Sequence, residues 1–333
     1  MSAVTLDAAA LETLVGAAVA APSIHNSQPW HFRLRPETST LEVLAVGERK
    51  LPRTDPQGQA MHVSVGAAVL NLRVAARHLG WSPEIRLLPD PAEPDLLAAV
   101  ELDRPALVTL LSTAELYGAI WHRHTIRTPF TGPPVPAAVL AELVAVARAE
   151  ETVLEIPGPQ EVRRLLQLTA EAERADTADA GRRSESRAWI QEPGGPPLGI
   201  PRSALGPQDA AGRLPVRDFS AVDPADRLPS AVFEAHPCIA VLSTRQDRPV
   251  DWLRAGLALQ HVLLVATVHQ VRASMLHQAV ERPHVRREAR DPSHGPGCVQ
   301  MILRLGYGPE GAPTPRLPVT GSIDVTEGID PDE

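Results

Sequence analysis

Two segments of this chain recur in the same order and with the same residue types. A repeat of that kind constrains the fold more than any local pattern, because each copy must bury the same face. Leu11, Leu14, Val15, Ala18 and Ala20 form an L-x-x-L-V-x-x-A-x-A pattern, and the pattern returns as Leu140, Leu143, Val144, Ala147 and Ala149. Further on, Gly66, Ala68, Val69, Leu72 and Ala76 share their spacing with Gly256, Ala258, Leu259, Val262 and Ala266. All four segments read as apolar-striped helices. Chance similarity between alanine-rich helices is the competing reading.

Each second-set helix leads into an alternating segment, Glu84 to Leu88 after the first and Arg272 to Leu276 after the second. Further strand candidates are His31 to Leu34, Leu41 to Val46, Ala98 to Leu102, Ile239 to Ser243 and Val299 to Leu305, so the class is mixed α and β. Proline-rich breaks near Asp90 to Pro94, Pro129 to Pro136 and Pro157 to Pro159 punctuate these elements. Gln191 to Pro229 is different: it is rich in Gly and Pro and lacks periodicity, yet Ile200, Leu205 and Phe219, with Trp189 just before it, offer apolar anchors. It reads as a long ordered loop, of the kind that often closes over a site, with a disordered insertion as the alternative.

With 333 residues and 44% of them hydrophobic, the chain can fill one large domain or two medium ones. No run of about 18 apolar residues supports a membrane span, and no basic segment precedes the alanine-rich start as in a signal peptide. A soluble cytoplasmic protein is expected. The formal charge of −8 gives no long-range attraction for nucleic acid or an anionic membrane, so an anionic ligand must be held by particular arginines. Cys238 and Cys298 lie far apart without metal-ligand spacing and are expected to be buried packing residues. The 12 histidines show no HExxH or comparable pattern, and no metal site is expected.

Three segments carry residues suited to a ligand. Ala21 to Phe32, APSIHNSQPWHF, joins the first helix to a strand and offers Pro22, Ser23, Asn26 and Gln28 at the junction. A capped turn with Trp30 in the core explains the same residues. Arg123-His124-Thr125-Ile126-Arg127 precedes the second amphipathic helix; if extended, Arg123, Thr125 and Arg127 share one face and suit a phosphate. A solvated basic turn is the alternative. Arg316, held between prolines in PTPRLP, is either a third phosphate ligand or an ordinary surface residue.

In this order the segments resemble the nitroreductase family of flavoproteins. PSIHNSQPWHF is similar to the family's PSS-x-N-x-QPW-x-F signature, and RHTIRTPF to its RRS-x-R-x-F motif. The resemblance is closest to the fused actinobacterial Acg-type members, covers nearly the whole chain, and includes RTDPQG at Arg53 to Gly58 and DWLRAG at Asp251 to Gly256. It implies an α+β, nitroreductase-like fold present twice in one chain, a pseudo-dimer with a long lid insertion. Residues 1–110 would be the first, degenerate copy, 111–323 the second copy with a lid at about 190–230, and 324–333 a flexible tail.

The resemblance further implies one FMN site between the copies. Arg123, His124, Thr125, Arg127 and Arg316 would hold the phosphate end, and Pro22, Ser23 and Asn26 would meet the ring. The stretch from Ser274 through Met275, Leu276, His277 and Gln278 would lie along one flavin face, with backbone N–H groups near N5. Acg-type members carry a glycine where this chain has Gln270 and a proline where it has Ala279. The implied function is NAD(P)H-dependent reduction of a nitroaromatic, quinone or similar small-molecule acceptor, with the chemistry on the flavin and no catalytic side chain. An FMN storage protein closed by its lid and a flavin-free interaction protein are the alternatives, and a monomer is expected because the pseudo-dimer buries the usual interface.

Overall fold

The computed structural model describes residues 6–102, 111–191, 194–219, 227–290, 297–311 and 313–325. Helix α1 (Ala8–Val19) starts where the Asp7 carboxylate accepts from the Ala10 N–H at 2.7 Å, and it buries Leu11, Leu14, Val15 and Ala18. Strands β1 (Trp30–Arg35) and β2 (Thr40–Ala45) follow as an antiparallel pair. Trp30, Phe32 and Leu34 point to the core and alternate with more exposed neighbours, the period of a half-buried strand. Helix α2 (Gln59–His78) then leads to β3 (Glu84–Leu87) and β4 (Leu96–Glu101).

After α3 (Leu111–His122) the same order returns. It runs α4 (Ala137–Ala149), β5 (Val153–Glu155), β10 (Cys238–Thr244), α7 (Pro249–Val268), β11 (Arg272–Met275) and β12 (Cys298–Gly306). The sheets match as well: β1-β2-β4-β3 in the first and β5-β10-β12-β11 in the second, all antiparallel within these runs. Between β5 and β10 the second unit inserts α5 (Pro159–Ala178), α6 (Ala180–Ala188) and two short parallel pairs. The pairs are β6 (Ile190–Gln191) with β7 (Ile200–Pro201) and β8 (Gln208–Asp209) with β9 (Ser230–Ala231). A short α8 (Pro283–Glu288) precedes β12.

Helices α2 and α7 cross at the centre, and both are buried on nearly every face. One apolar core lies between α1, α2 and the first sheet, a second between α4, α7 and the second sheet. The insertion creates a third on the other side of the second sheet, where Leu165, Leu168, Leu214 and Phe233 meet Ile239, Val241 and Ile302. The long loop is therefore anchored, and Ile200, Leu205 and Phe219 make a further small cluster within it.

Three expectations are refined. The segment read as a tail from residue 324 starts inside a strand, because β13 (Ile323–Val325) pairs in parallel with β1 and its main chain finds partners there; residues 326–333 lie outside the described residues. Cys238 and Cys298 are only half-buried, since each sits at a strand end, and they lie at opposite ends of the β10–β12 ladder. Gln270, where the resemblance calls for glycine, takes φ 58 just past the end of α7, a left-handed conformation that glycine adopts without strain.

Candidate functional site

The segment after α1 is bent sharply. His25, Asn26 and Gln28 have φ of 50, 54 and 48, three non-glycine residues in the left-handed region within four positions. Long-range hydrogen bonds hold the bend. Gln28 donates to the Pro197 carbonyl at 2.7 Å and accepts from the Leu317 N–H at 2.9 Å. Asn26 donates to Gly199 O at 2.9 Å and Pro315 O at 3.0 Å, while its Oδ1 accepts from Arg316 at 2.8 Å. Ser23 Oγ accepts the Gln28 N–H at 2.9 Å.

This bend faces residues 123–127, which run beside β11. Thr125 bridges Ala273 in parallel, and the Ile126 N–H donates to the Ala273 carbonyl at 2.9 Å. Ile126 turns into the protein, and Arg123, His124, Thr125 and Arg127 line a chamber of about 470 Å³ with Pro22, Ser23, Asn26, Met275 and Arg316. The chamber shares Pro22, Ser23, His25, Arg127, Ile200 and Met275 with a larger, mainly apolar one of about 670 Å³. That second chamber adds Ala60, Val63 and Ser64 of α2, Leu259 of α7, Met301 of β12, His277 and Gln278, and Arg217 and Phe219 of the long loop.

The smaller chamber is electrostatically unbalanced. Among the described residues no carboxylate is ion-paired with Arg123, Arg127 or Arg316. Arg127 donates to Ala204 O at 2.8 Å and Arg316 to neutral oxygens, whereas Nε of Arg123 and of Arg316 is buried without a partner. Burial, with Arg316 beside it, presses Arg123 down to about 9; burial and then Arg217 press Arg127 to about 10, and burial alone takes Arg316 to about 10. His124 is pushed to about 4 by burial and then by Arg123. An anion placed among these groups would remove the penalty that each carries.

The larger chamber is balanced. Arg217 pairs with Glu281, a fully buried carboxylate that also lies 3.5 Å from Arg182 and 3.1 Å from His277 Nδ1. Burial raises the Glu281 pKa, but Arg217 and then the His277 hydrogen bond outweigh it and hold it at about 2. His25 has both ring nitrogens buried without partners, and burial followed by Arg217 lowers it to about 3. Its ring meets Phe219 edge-on at 5.6 Å between centroids.

Of the fourteen residues singled out in the sequence, eleven line these two joined chambers, and Gln28, Ser274 and Leu276 do not. The Leu276 side chain is in the third core, and its N–H is spent on the Ile302 carbonyl at 2.9 Å. Asn26 lies at the wall, with its carboxamide committed to Gly199, Pro315 and Arg316. His25, Ser64, Arg217, Phe219, Leu259 and Glu281 were missed. His25 stood inside the quoted motif and Phe219 among the loop's apolar anchors, while the helix residues carried no signal beyond an apolar stripe.

No protein-family model matches the chain. A protein of Mycobacterium tuberculosis named "Putative NAD(P)H nitroreductase Rv3131" is 30% identical over 331 residues, covering 97% of this chain and 93% of the relative. The chain belongs to the nitroreductase family. A second M. tuberculosis nitroreductase of this family, named acg, is 29% identical over 320 residues, with 93% of each chain covered. Among solved structures, the FMN-dependent nitroreductase NfnB of Mycobacterium smegmatis, in complex with NADPH, has a TM-score of 0.40 at 13% identity, covering 65% of this nitroreductase chain and 100% of its own. A nitroreductase with bound FMN from Desulfitobacterium hafniense has a TM-score of 0.41 at 16% identity, covering 64% and 98%.

Proposed function

We propose that this nitroreductase-family chain binds FMN in the joined chambers and uses NAD(P)H to reduce a nitroaromatic, quinone or similar small-molecule acceptor. The observation that carries the reading is the trio of buried Arg123 and half-buried Arg127 and Arg316, without a carboxylate partner among the described residues and lining a chamber that adjoins an apolar one. A phosphate would satisfy the arginines, and a flat ring would lie among Met275, Leu259, Val63 and Phe219. FMN joins these two chemistries in one molecule, and the M. tuberculosis relative carries the name "Putative NAD(P)H nitroreductase Rv3131". Bound there, the flavin would supply hydride transfer. The protein's own part is to grip the phosphate, exclude water with the loop segment, and orient the ring with fixed polar groups.

Apoprotein titrated with FMN tests this reading. Tight binding that quenches flavin fluorescence, followed by bleaching with NADPH or NADH under anaerobic conditions, is the expected result. A protein that stays colourless in excess FMN would overturn it.

The storage reading keeps one specific observation in its favour. Residues 197–219 are tied across the chambers by Gln28 to Pro197, Asn26 to Gly199, Arg127 to Ala204, and Arg217 to Glu281. If that segment shuts out nicotinamide, FMN will bind but bleach only after residues 197–219 are shortened.

We also infer that the two units are copies of one unit and that the pseudo-dimer has one flavin site. The repeated element order and matching sheets support the duplication. By the repeat spacings, Pro22, Ser23 and Ser64 correspond to Glu151, Thr152 and Arg254. Arg254 pairs with Glu151 at 3.3 Å, so an ion pair takes the place of the apolar wall. A monomer with one FMN per chain follows, measurable by light scattering and flavin absorbance. Among the described residues no helix is long and apolar enough to cross a membrane.

A further inference from the structure

The larger chamber contains a side-chain arrangement that flavin chemistry alone does not use. His277 lines it, and the ring's two nitrogens differ in their surroundings. Nδ1 lies 3.1 Å from the Glu281 carboxylate, whereas Nε2 is buried without a partner. An ionised carboxylate only accepts, so Nδ1 carries hydrogen and Nε2 is left as the atom that can hold or release a proton. Glu281 is itself fixed by Arg217 from the loop and by Arg182 from α6, which keeps the histidine ring from turning. A histidine that lines a ligand chamber, oriented by a carboxylate on one nitrogen and buried without a partner on the other, has the makings of a general acid or base.

The other polar groups of the chamber do not serve. His25 has no carboxylate partner and stays neutral well below physiological pH. Ser64 Oγ donates to the Ala60 carbonyl at 2.7 Å and accepts from the Ile24 N–H at 3.2 Å. Gln278 donates to the Pro215 carbonyl at 3.1 Å. Arginines keep their protons.

We propose that His277 is the catalytic proton donor of this chamber, delivering the Nε2 proton to an acceptor oxygen, and that Glu281 is its positioning residue. The proposal rests on the flavin reading above. For a quinone, the hydride that forms the hydroquinone monoanion would come from reduced nicotinamide, with bound FMN supplying the transfer chemistry. The Nε2–H bond then breaks, its electron pair stays on the ring, and the proton forms the second O–H bond of the hydroquinone. Neutral His277 regains a proton from water. Nicotinamide is oxidised and the quinone reduced by two electrons.

Charged and titratable groups face His277 from every side: Glu281 on its own turn, Arg217 on the loop, Arg182 on α6, His25 after α1 and Asp55 before α2.

The test uses the full chain loaded with FMN and reduced anaerobically, with 1,4-benzoquinone as the oxidant in single turnovers across pH. The wild type is expected to slow as pH rises and the Nε2 proton is lost. His277→Gln is expected to be slower by ~10²-fold and to lose that limb. Glu281→Gln is expected to move the limb to lower pH, which keeps the proposal testable if His277→Gln does not hold FMN. A second readout needs no acceptor: when bound FMN is photoreduced in weak buffer with a pH indicator, His277→Gln takes up fewer protons than the wild type. A His277→Gln protein that retains FMN yet slows less than ten-fold, or a Glu281→Gln limb that does not move, overturns the proposal. Wild-type protein that binds no FMN defeats the flavin reading instead, and is seen before any variant is made.

Discussion

Gly66 and Gly256 meet backbone to backbone where α2 crosses α7. A methyl group on Gly66 would lie 2.9 Å from the Gly256 Cα and 2.2 Å from the Leu253 carbonyl oxygen. One on Gly256 would lie 2.8 Å from the Gly66 Cα and 2.2 Å from the Val63 carbonyl oxygen. The reciprocity means that each glycine makes room for the other, and that the crossing distance is set by the absence of two side chains.

Gly66→Ala and Gly256→Ala are each expected to destabilise the protein by about 3 kcal/mol, the upper end for overpacking, because the obstacles are backbone atoms that cannot rotate away. Urea unfolding monitored by circular dichroism measures this. A loss under 1 kcal/mol would mean that the helices separate easily.

Arg123 should be a burden until an anion binds. Burial and Arg316 hold its pKa at about 9, well below the ordinary guanidinium range, so the unfolded chain binds the proton more tightly. The cost is present below pH 9 and shrinks as pH rises from there towards the ordinary guanidinium range. Arg123→Met is therefore expected to stabilise ligand-free protein at neutral pH by ~1–3 kcal/mol while weakening FMN binding. Thermal melts with and without FMN should change order: the variant melts higher alone and lower with ligand.

Glu150 ties the two central helices, pairing with Arg73 of α2 and lying 2.8 Å from His261 of α7. Burial raises its pKa, but the His261 hydrogen bond and Arg73 more than offset this and hold it at about 2, below the ordinary 4.5. Its stabilisation is complete above pH 4.5 and disappears as pH falls through about 2. Glu150→Gln is expected to cost on the order of 3 kcal/mol at neutral pH and to flatten acid unfolding in that window. An unchanged acid profile would remove Glu150 from this role.

Gln270→Gly should stabilise the protein by about 1 kcal/mol, since an L-residue is held at φ 58. Differential scanning calorimetry reads the shift, and a lower melting temperature would contradict it.

Gly206 links the loop to the phosphate end of the site. A methyl group there would lie 2.5 Å from Arg127 Cβ and 2.8 Å from its carbonyl oxygen, at a φ of +75. Gly206→Ala is expected to lift this part of the loop and to speed FMN release by about ten-fold or more, followed by fluorescence recovery on dilution into buffer. Equal release rates would mean that the loop does not hold the ligand.

The helices and strands were legible because their periodicities are strong and local: Trp30, Phe32 and Leu34 alternate, and Leu11, Leu14, Val15 and Ala18 recur at helical spacing. Arg123, Thr125 and Arg127 were legible as a set because an extended chain puts alternate residues together. Asn26 was not legible as a structural hub, since its partners Gly199 and Pro315 are 173 and 289 residues away. The Glu281 pair was hidden for the same reason: Arg217 comes from the aperiodic loop, 64 residues earlier. Leu276 was named from the resemblance alone, and its place in the third core, with its N–H on the Ile302 carbonyl, depends on a strand that follows it in the chain.

The last described strand, β13, pairs with the first, β1, with Phe32 opposite Ile323. The N-terminal sheet is thus finished by residues synthesised long after β1, on a segment that also brings Arg316 to Asn26. While the chain is still on the ribosome, one side of β1 has no partner and the anion chamber lacks its third arginine. Such an edge invites association with other nascent chains, so the time between making β1 and making β13 is the period of greatest aggregation risk. A circular permutant that joins the termini and opens the chain between α3 and α4 would change when that edge is covered, and with it the yield of folded protein.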